Sequence, residues 1–405
     1  MATKAAIVEN KDKRARVSID ETIAHDSASL SGQLQILFEK LFSPNAKKTL
    51  RRFSSTEAAR LLGVTDSYVR HIASQEEVVT SEKTAAGRRT FSLEEVNTIR
   101  QFLGRTKPSY LPGRREEDHL QVIAVTNFKG GSGKTTTATH LAQYLALRGY
   151  RVLAADLDPQ ASMSAMLGFQ PEFDVHDNET LYGAIRYDAE RRPVGEVVRQ
   201  TYFPGLDLIP GNLELHEFEH DTPRALASRD SADTDMFFMR VGNALMDLQD
   251  RYDVVVIDCP PTLGFLTLSA LCAATSVLIT VHPQMLDVAS MNQFLSMTSD
   301  LLGVVKEAGG NLEYDWMRYL VTRYEPNDGP QAQIVAFLRS LFGERVLTSM
   351  MVKSTAVSDA GLSKQTIYEA GRETMHRQTY DRAVEAMDSV NSEVESLIRT
   401  AWVRA

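Results

Sequence analysis

The chain has 405 residues, 43% of them hydrophobic and 24% charged, with a formal net charge of −9. That is enough for two or three domains of ordinary water-soluble composition. No apolar run approaches the roughly 20 residues of a membrane-spanning helix, the opening MATKAAIVENKDKRARV lacks the apolar stretch of a secretory signal, and two cysteines, Cys259 and Cys272, are too few for a disulfide framework and are expected to stay reduced. Charge is unevenly spread: residues 1–118 hold 20 Lys and Arg against 16 Asp and Glu, and the remainder holds 24 against 37. A mildly basic leading module that meets nucleic acid, joined to an acidic body, fits this as well as ordinary scatter does.

In chain order, roughly the first 28 residues are polar and aperiodic and read as a mobile arm. Leu30, Leu34, Leu37, Phe38, Leu41 and Phe42 then recur at helical spacing, which predicts an amphipathic helix and closes a first segment over 1–48. Such a helix either packs on the next domain or serves as a dimer contact.

Residues 49–104 form a second segment. Phe53 reads as a strand end, and Ser54 with Glu57 as a helix cap. Gly63-Val64-Thr65 makes a tight turn into a second helix carrying Ser67, Tyr68, Val69, Arg70 and Ile72. Two short helices about a glycine turn make a helix-turn-helix. Gly87 to Ser92 reads as a hairpin turn and strand with Arg88 and Arg89 in it, and a helix follows from Leu93 to Leu103. Residues 105–118 begin RTKPSYLPGRR and read as a linker.

From 119 onward short apolar runs alternate with helical patterns. Val122–Thr126, Val152–Ala155, Leu206–Ile209, Val254–Ile257, Val277–Val281 and Leu320–Thr322 read as buried parallel strands. This predicts an α/β fold with a doubly wound, mostly parallel sheet. After the first strand comes Thr-Asn-Phe-Lys-Gly-Gly-Ser-Gly-Lys-Thr-Thr over 126–136. It ends like the phosphate loop G-x-x-x-x-G-K-[ST], but Phe128 holds the first glycine position and Lys129 is an additional lysine. Glycines let backbone N–H groups close around phosphate oxygens at a helix N-terminus. The loop Lys129, Gly130, Gly131, Ser132, Gly133, Lys134, Thr135 and Thr136 is therefore the candidate nucleotide site. Lys134 would reach the β- and γ-phosphates and Thr135 would bind Mg²⁺. Asp156 and Asp158 follow the second strand, where a carboxylate can orient an attacking water or reach Mg²⁺ through water. Asp258 ends the strand Val254–Ile257 and is placed to hold Mg²⁺ through water. Pro260-Pro261-Thr262 makes a stiff loop beside the γ-phosphate position.

KGGSGKTT, DLDPQAS and VVVIDCPP together resemble the deviant Walker A, A′ and B motifs of the ParA/MinD ATPases, over about residues 120–400. DLDPQ points to the partition branch. FSSTEAARLLGVTDSYVRHIASQ with GRRTFSLEEV resembles a MerR-type winged helix-turn-helix. A ParA core behind such a module resembles the long (type Ia) plasmid partition proteins, nearest to the RepA proteins of repABC-type plasmids.

The resemblance implies a P-loop ATPase using ATP/ADP and Mg²⁺ that dimerises on ATP, with slow turnover stimulated by DNA and partner. Lys129 would cross to the partner's nucleotide, and Asp158 would support hydrolysis by positioning water. It implies a ParB/RepB-type centromere-binding partner, non-specific DNA binding by the ATPase dimer, autorepression through the helix-turn-helix, and a cytoplasmic, nucleoid-associated protein without membrane contact. Ser67, Tyr68 and Arg70 are candidates for the major groove and Arg88 and Arg89 for phosphates. Arg318, Arg323, Lys353 and Lys364 are candidates for non-specific DNA. Thr322-Arg323-Tyr324 and Met351-Val352-Lys353 fall where the family has its adenine pocket. Three other readings are weighed. A MinD-like membrane-positioning ATPase needs a basic amphipathic terminal helix, and EAMDSVNSEVESLIRTAWVRA has too few lysines. An iron-protein arrangement would use Cys259 and Cys272, which read better as buried thiols. A nucleotide-regulated repressor without a segregation role shares the fold, but Lys134, Thr135, Asp158 and Asp258 are all intact.

Overall fold

A computed structural model describes residues 18–41, 48–75, 78–85, 87–228, 236–310, 312–372 and 375–403. Most of the expected arm, and Phe42, lie outside these residues, as do the side chains of Leu34, Leu37, Phe38 and Leu41. The chain divides into two compact units, 1–48 and 49–405.

The first unit contains helix α1 (Ile19–Leu41), which starts well before Leu30. This corrects the reading of residues 19–28 as part of an arm. The cause is a capping box that the periodicity search passed over: Ser18 N–H donates to Glu21 Oε2 at 3.4 Å, and Glu21 N–H donates to Ser18 Oγ at 3.4 Å.

The second unit opens with β1 (Phe53–Ser54), α2 (Ser55–Leu62) and α3 (Asp66–Ile72), then β2 (Glu82–Lys83), β3 (Arg89–Phe91) and α4 (Leu93–Thr106). Ser54 caps α2 in a capping box with Glu57, Gly63 ends it at φ 67°, and Thr65 caps α3. The three short strands form an antiparallel sheet in the order β1-β3-β2. Ala58, Ala59, Leu62, Val69 and Ile72 turn inward, while Ser67, Tyr68 and Arg70 share the exposed face of α3.

The body alternates strands and helices: β4 (Gln121–Thr126), α5 (Lys134–Arg148), β5 (Val152–Asp156), α6 (Ser162–Met166), α7 (Pro171–Asp174), α8 (Leu181–Ile185), β6 (Arg199–Gln200), β7 (Leu206–Ile209), α9 (His216–Ala227), α10 (Arg240–Met246), β8 (Val254–Asp258), α11 (Phe265–Ala273), β9 (Ser276–Val281), α12 (Met285–Glu307), β10 (Trp316–Val321), α13 (Gly329–Phe342), α14 (Thr355–Leu362) and α15 (Arg377–Ala401). The sheet order is β10-β9-β4-β8-β5-β7-β6, parallel except for β6. All six expected strands are present. The one expected over 320–322 begins at Trp316, where half-buried Arg318 interrupts its apolar run. β4, β8 and β5 are neighbours, so the three motif loops leave the same edge of the sheet.

One hydrophobic cluster runs from Phe53, Ile72 and Phe91 of the leading module through Leu141 and Leu145 of α5 to Met387, Val394 and Ile398 of α15. The chain's end is thus a packing helix whose apolar stripe is covered. No helix among the described residues is long and apolar enough to cross a membrane. The 105–118 connection is held down: Arg114 N–H donates to Asp253 Oδ1 at 3.0 Å, and Arg115 N–H to Asp118 Oδ2 at 2.7 Å.

Module and body are clamped by Arg100, 4% exposed, whose Nη2 donates to Leu147 O at 2.9 Å and Leu61 O at 3.2 Å. Burial lowers its pKa to about 10, still well above neutrality. Its guanidinium lies against Gly149, the left-handed cap of α5 at φ 99°, where a Cβ would fall 2.6 Å from Nη1. Gly149→Ala should therefore cost about 1–3 kcal/mol from backbone strain alone, with the Arg100 clash added. Urea unfolding monitored by circular dichroism checks this, and an unchanged midpoint would contradict the clamp.

Candidate nucleotide site

β4 is buried along its whole length and delivers the loop 127–133 to the N-terminus of α5. Gly131 (φ 76°) and Gly133 (φ 86°) adopt the left-handed conformations that let successive N–H groups turn inward. A Cβ on Gly133 would meet Thr322 at 3.4 Å. Phe128, in the position of the missing glycine, stacks on Phe294 of α12 with ring centroids 5.5 Å apart. The loop is braced from outside. Asn127 Nδ2 donates to Thr280 O at 2.5 Å, and Asn127 Oδ1 accepts from Lys129 N–H at 3.0 Å. Thr280 Oγ1 donates to Ser132 Oγ at 3.0 Å, Thr322 Oγ1 to Ser132 O at 2.7 Å, and Arg323 Nη1 to Gly131 O at 3.2 Å.

The two lysines do different things. Lys134 is buried, and its Nζ donates to Lys129 O at 3.1 Å, across the loop. Burial lowers its pKa, while Asp258 and Asp158 pull it back up. Lys129 is half-exposed, and its ammonium pairs with Asp287 at the start of α12. The other oxygen of Asp287 meets His282 Nδ1 at 3.0 Å. Within a single chain Lys129 is therefore engaged in cis.

Asp156 and Asp258 are register partners across β5 and β8. Both are fully buried, which raises the pKa of each, that of Asp156 to about 7. Their surroundings differ. Asp156 Oδ2 accepts from Ser164 N–H at 2.8 Å and Ser164 Oγ at 2.7 Å, and its Oδ1 from Asp158 N–H at 3.3 Å. It is thus held in the turn after β5 by three accepted hydrogen bonds. Neither oxygen of Asp258 makes a well-formed hydrogen bond, and the Thr135 hydroxyl and the Lys134 ammonium favour its charged form against burial. A buried carboxylate so sparsely satisfied suits a cation. Asp158 is nearly buried, with Oδ1 accepting from Gln160 N–H at 3.0 Å.

The segments expected at the adenine pocket pair with each other: Tyr324 N–H donates to Met351 O at 3.1 Å and Lys353 N–H to Tyr324 O at 2.9 Å. Arg323 adopts φ 53° there, an uncommon conformation for a non-glycine residue and one that concentrates at functional sites. Lys353 is paired with Glu325 at 2.9 Å, and Arg318 Nη1 donates to Met317 O at 3.0 Å. Lys364 is half-buried. On the leading module, Arg70 pairs with Asp66 at 2.5 Å. Arg88 is exposed, whereas Arg89 is turned inward onto Ala73 O and onto Ser81 Oγ at 2.9 Å. Arg89 thus anchors the strand and does not stand free for phosphate, contrary to expectation. Asn127, Ser164, His282, Asp287 and Thr280 went unnoticed in the sequence. Only Asn127, inside the loop, was within reach of motif reading.

A P-loop nucleotide-binding protein with two loop lysines is the class that this fold and geometry define. The profile of a family described as AAA domain matches residues 120–307. A protein of Rhizobium rhizogenes named as a replication protein A is 58% identical over 391 residues, 96% of each chain. SopA of Escherichia coli (strain K12) is 30% identical over 369 residues, 89% of this chain and 92% of its own. A solved structure described as a partition protein covers 92% of this chain and 98% of that one with TM-score 0.65 at 19% identity, a likeness of fold. The chain belongs to the ParA/MinD family of partition ATPases, and it matches the replication protein A branch along nearly its whole length.

Behind the loop, His140 is fully buried on α5. Its Nδ1 lies 2.7 Å from Thr136 O and its Nε2 receives Ile367 N–H at 3.3 Å, which assigns the proton to Nδ1. Burial pushes its pKa down to about 4. An unfolded histidine titrates near 6.5, so between those values the unfolded chain takes up a proton that the folded one refuses. This contribution is complete above about pH 6.5 and is lost as pH falls toward 4. Asp156, raised to about 7, acts with the opposite sign over the same range, so the His140 term is read as a difference: the urea midpoint of wild type should fall relative to that of His140→Gln as pH drops from about 6.5 toward 4, and a constant difference would contradict it.

Proposed function

We propose that this site binds and hydrolyses ATP with Mg²⁺, and that turnover is slow and is stimulated by DNA and by a partner. The observation that carries this is the buried Asp258 carboxylate, whose oxygens make no well-formed hydrogen bond, next to Thr135 and Lys134. The amides of Gly130, Gly131, Ser132 and Gly133 would hold the phosphates, Lys134 the β- and γ-phosphates, and Thr136 the α-phosphate. Thr135 and Asp258 would hold Mg²⁺, Asp258 through water. The ion, when bound, supplies charge neutralisation at the β- and γ-oxygens. Asp158 would orient the attacking water, and Asp156 supports it through their shared turn. Asp158→Ala should still bind ATP but not turn it over, measured by phosphate release and nucleotide titration. Normal turnover would remove Asp158 from this role.

In this reading two chains associate on ATP, and Lys129 leaves Asp287 to reach the other chain's phosphates. Lys129→Ala should lower both hydrolysis and nucleotide-dependent dimerisation in sedimentation. An unchanged rate would sink the crossing role.

The activity serves segregation of a replicon, together with a ParB/RepB-type centromere-binding protein and non-specific DNA on the nucleoid. The leading module would act as a winged helix-turn-helix repressor, reading an operator with Ser67, Tyr68 and Arg70, with Arg88 on phosphate and Arg89 fixing the wing. A repressor without a segregation role is the second reading, supported by the core that the module shares with the body. For the same reason removing the module would open the body, so point changes are the cleaner test. Tyr68→Ala with Arg70→Ala should weaken operator footprints at least tenfold, on the order of 1–3 kcal/mol per base contact, and leave ATPase activity intact. Unchanged footprints would exclude this helix.

A further inference from the structure

We propose that Glu219 is a positioning residue for hydrolysis. It acts as a brace that fixes the loop between Asp258 and α11, and with it the γ-phosphate side of the site. This rests on the ATP-hydrolysing reading given above.

The loop Cys259–Gly264 leaves β8 directly after Asp258 and enters α11 at Phe265. Gly264 is the N-cap of α11 and has no side chain with which to close the helix's first N–H groups. Glu219 of α9 does so instead. Its Oε2 accepts from Phe265 N–H at 2.9 Å and its Oε1 from Leu266 N–H at 3.0 Å. The fit is close, since a Cβ on Gly264 would lie 2.4 Å from Glu219 Oε1. Inside the loop, Thr267 Oγ1 donates to Thr262 O at 2.6 Å, so the pinned first turn also holds Thr262. Carboxylate on paired N–H groups at a helix start is a strong, directional contact.

The other end of the brace is equally fixed. Phe218 is fully buried and stacks on Tyr187 with centroids 5.8 Å apart, and Tyr187 Oη lies 2.9 Å from Thr222 Oγ1. Upstream of α9, Gly211 N–H donates to Ser164 Oγ at 2.9 Å, and that hydroxyl donates to Asp156. A Cβ on Gly211 would meet Asp156 O at 2.9 Å and Asp158 O at 3.0 Å. The segment from Gly211 to Glu219 therefore spans two loops that no shared motif connects: the one holding Asp158 and the one following Asp258. Glu219 lies outside the residues assigned above to the nucleotide and the attacking water, and its role is to set the distance between them.

The test compares full-length wild type, Glu219→Ala and Glu219→Gln by steady-state phosphate release, titration with a fluorescent ATP analogue, and hydrogen exchange at the start of α11. Glu219→Ala should lower kcat about tenfold or more through misplacement of the loop, with analogue affinity within about twofold of wild type because the Lys129–Thr136 cradle is untouched. Protection at Phe265 and Leu266 should drop. Glu219→Gln keeps one acceptor and should fall between. Wild-type kcat in Glu219→Ala, or a kcat loss matched by an equal loss of analogue affinity, overturns the brace while leaving the ATPase reading intact. Absence of any turnover in the wild type overturns that reading and the brace with it.

Discussion

The pairing of Asp156 with Asp258 across β5 and β8 is the constraint on which the rest of the site turns. Two fully buried carboxylates in register are unfavourable when both are ionised. The fold resolves the conflict unequally. Ser164 and the turn after β5 give Asp156 its hydrogen bonds, and Asp258 makes none that is well formed. Within the chain only Lys134 and Thr135 favour its charged form against burial and Asp156, and a cation would favour it further. An incoming cation and polyphosphate thus complete the electrostatics of the strand ends as well as occupying a cavity. Affinity for the ligand and repair of a buried charge then become one free-energy term.

The leading module belongs to the same mechanical object. Its helices share a hydrophobic cluster with α5 and α15, and Arg100 grips the last turn of α5 while holding the end of α2. The helix that follows the glycine-rich loop is therefore fastened at its far end to the leading module, and the 105–118 connection is tied to the body through Arg114 and Asp253.

Much of this was legible in the residues. Unbroken apolar runs announced buried parallel strands, and the glycines and lysines of 129–136 announced the cradle. Ser54 with Glu57 and Thr65 after Gly63 marked helix ends to the residue. Ser18 with Glu21 carried the same signal, hidden by a search for apolar spacing. The two-residue strand Arg199–Gln200 has no side-chain signature, because it forms by backbone pairing at the sheet's edge.

Sequence by itself determined the class of fold, the cradle and the identity of the carboxylates, because these depend on local conformation and on spacing within one loop or strand. Only the tertiary structure decided what each of them is packed against and bonded to. Neighbouring Arg88 and Arg89 look alike in the chain, yet one is exposed and the other half-buried, hydrogen-bonded to Ala73 and Ser81. Asp156 and Asp258 were equivalent until Ser164 claimed one of them. Lys129 was a spare charge until Asp287, far along the chain, turned up beside it. Each decision rests on which group arrives from a distant segment to satisfy a buried donor, acceptor or charge, and spacing along the chain carries no record of that.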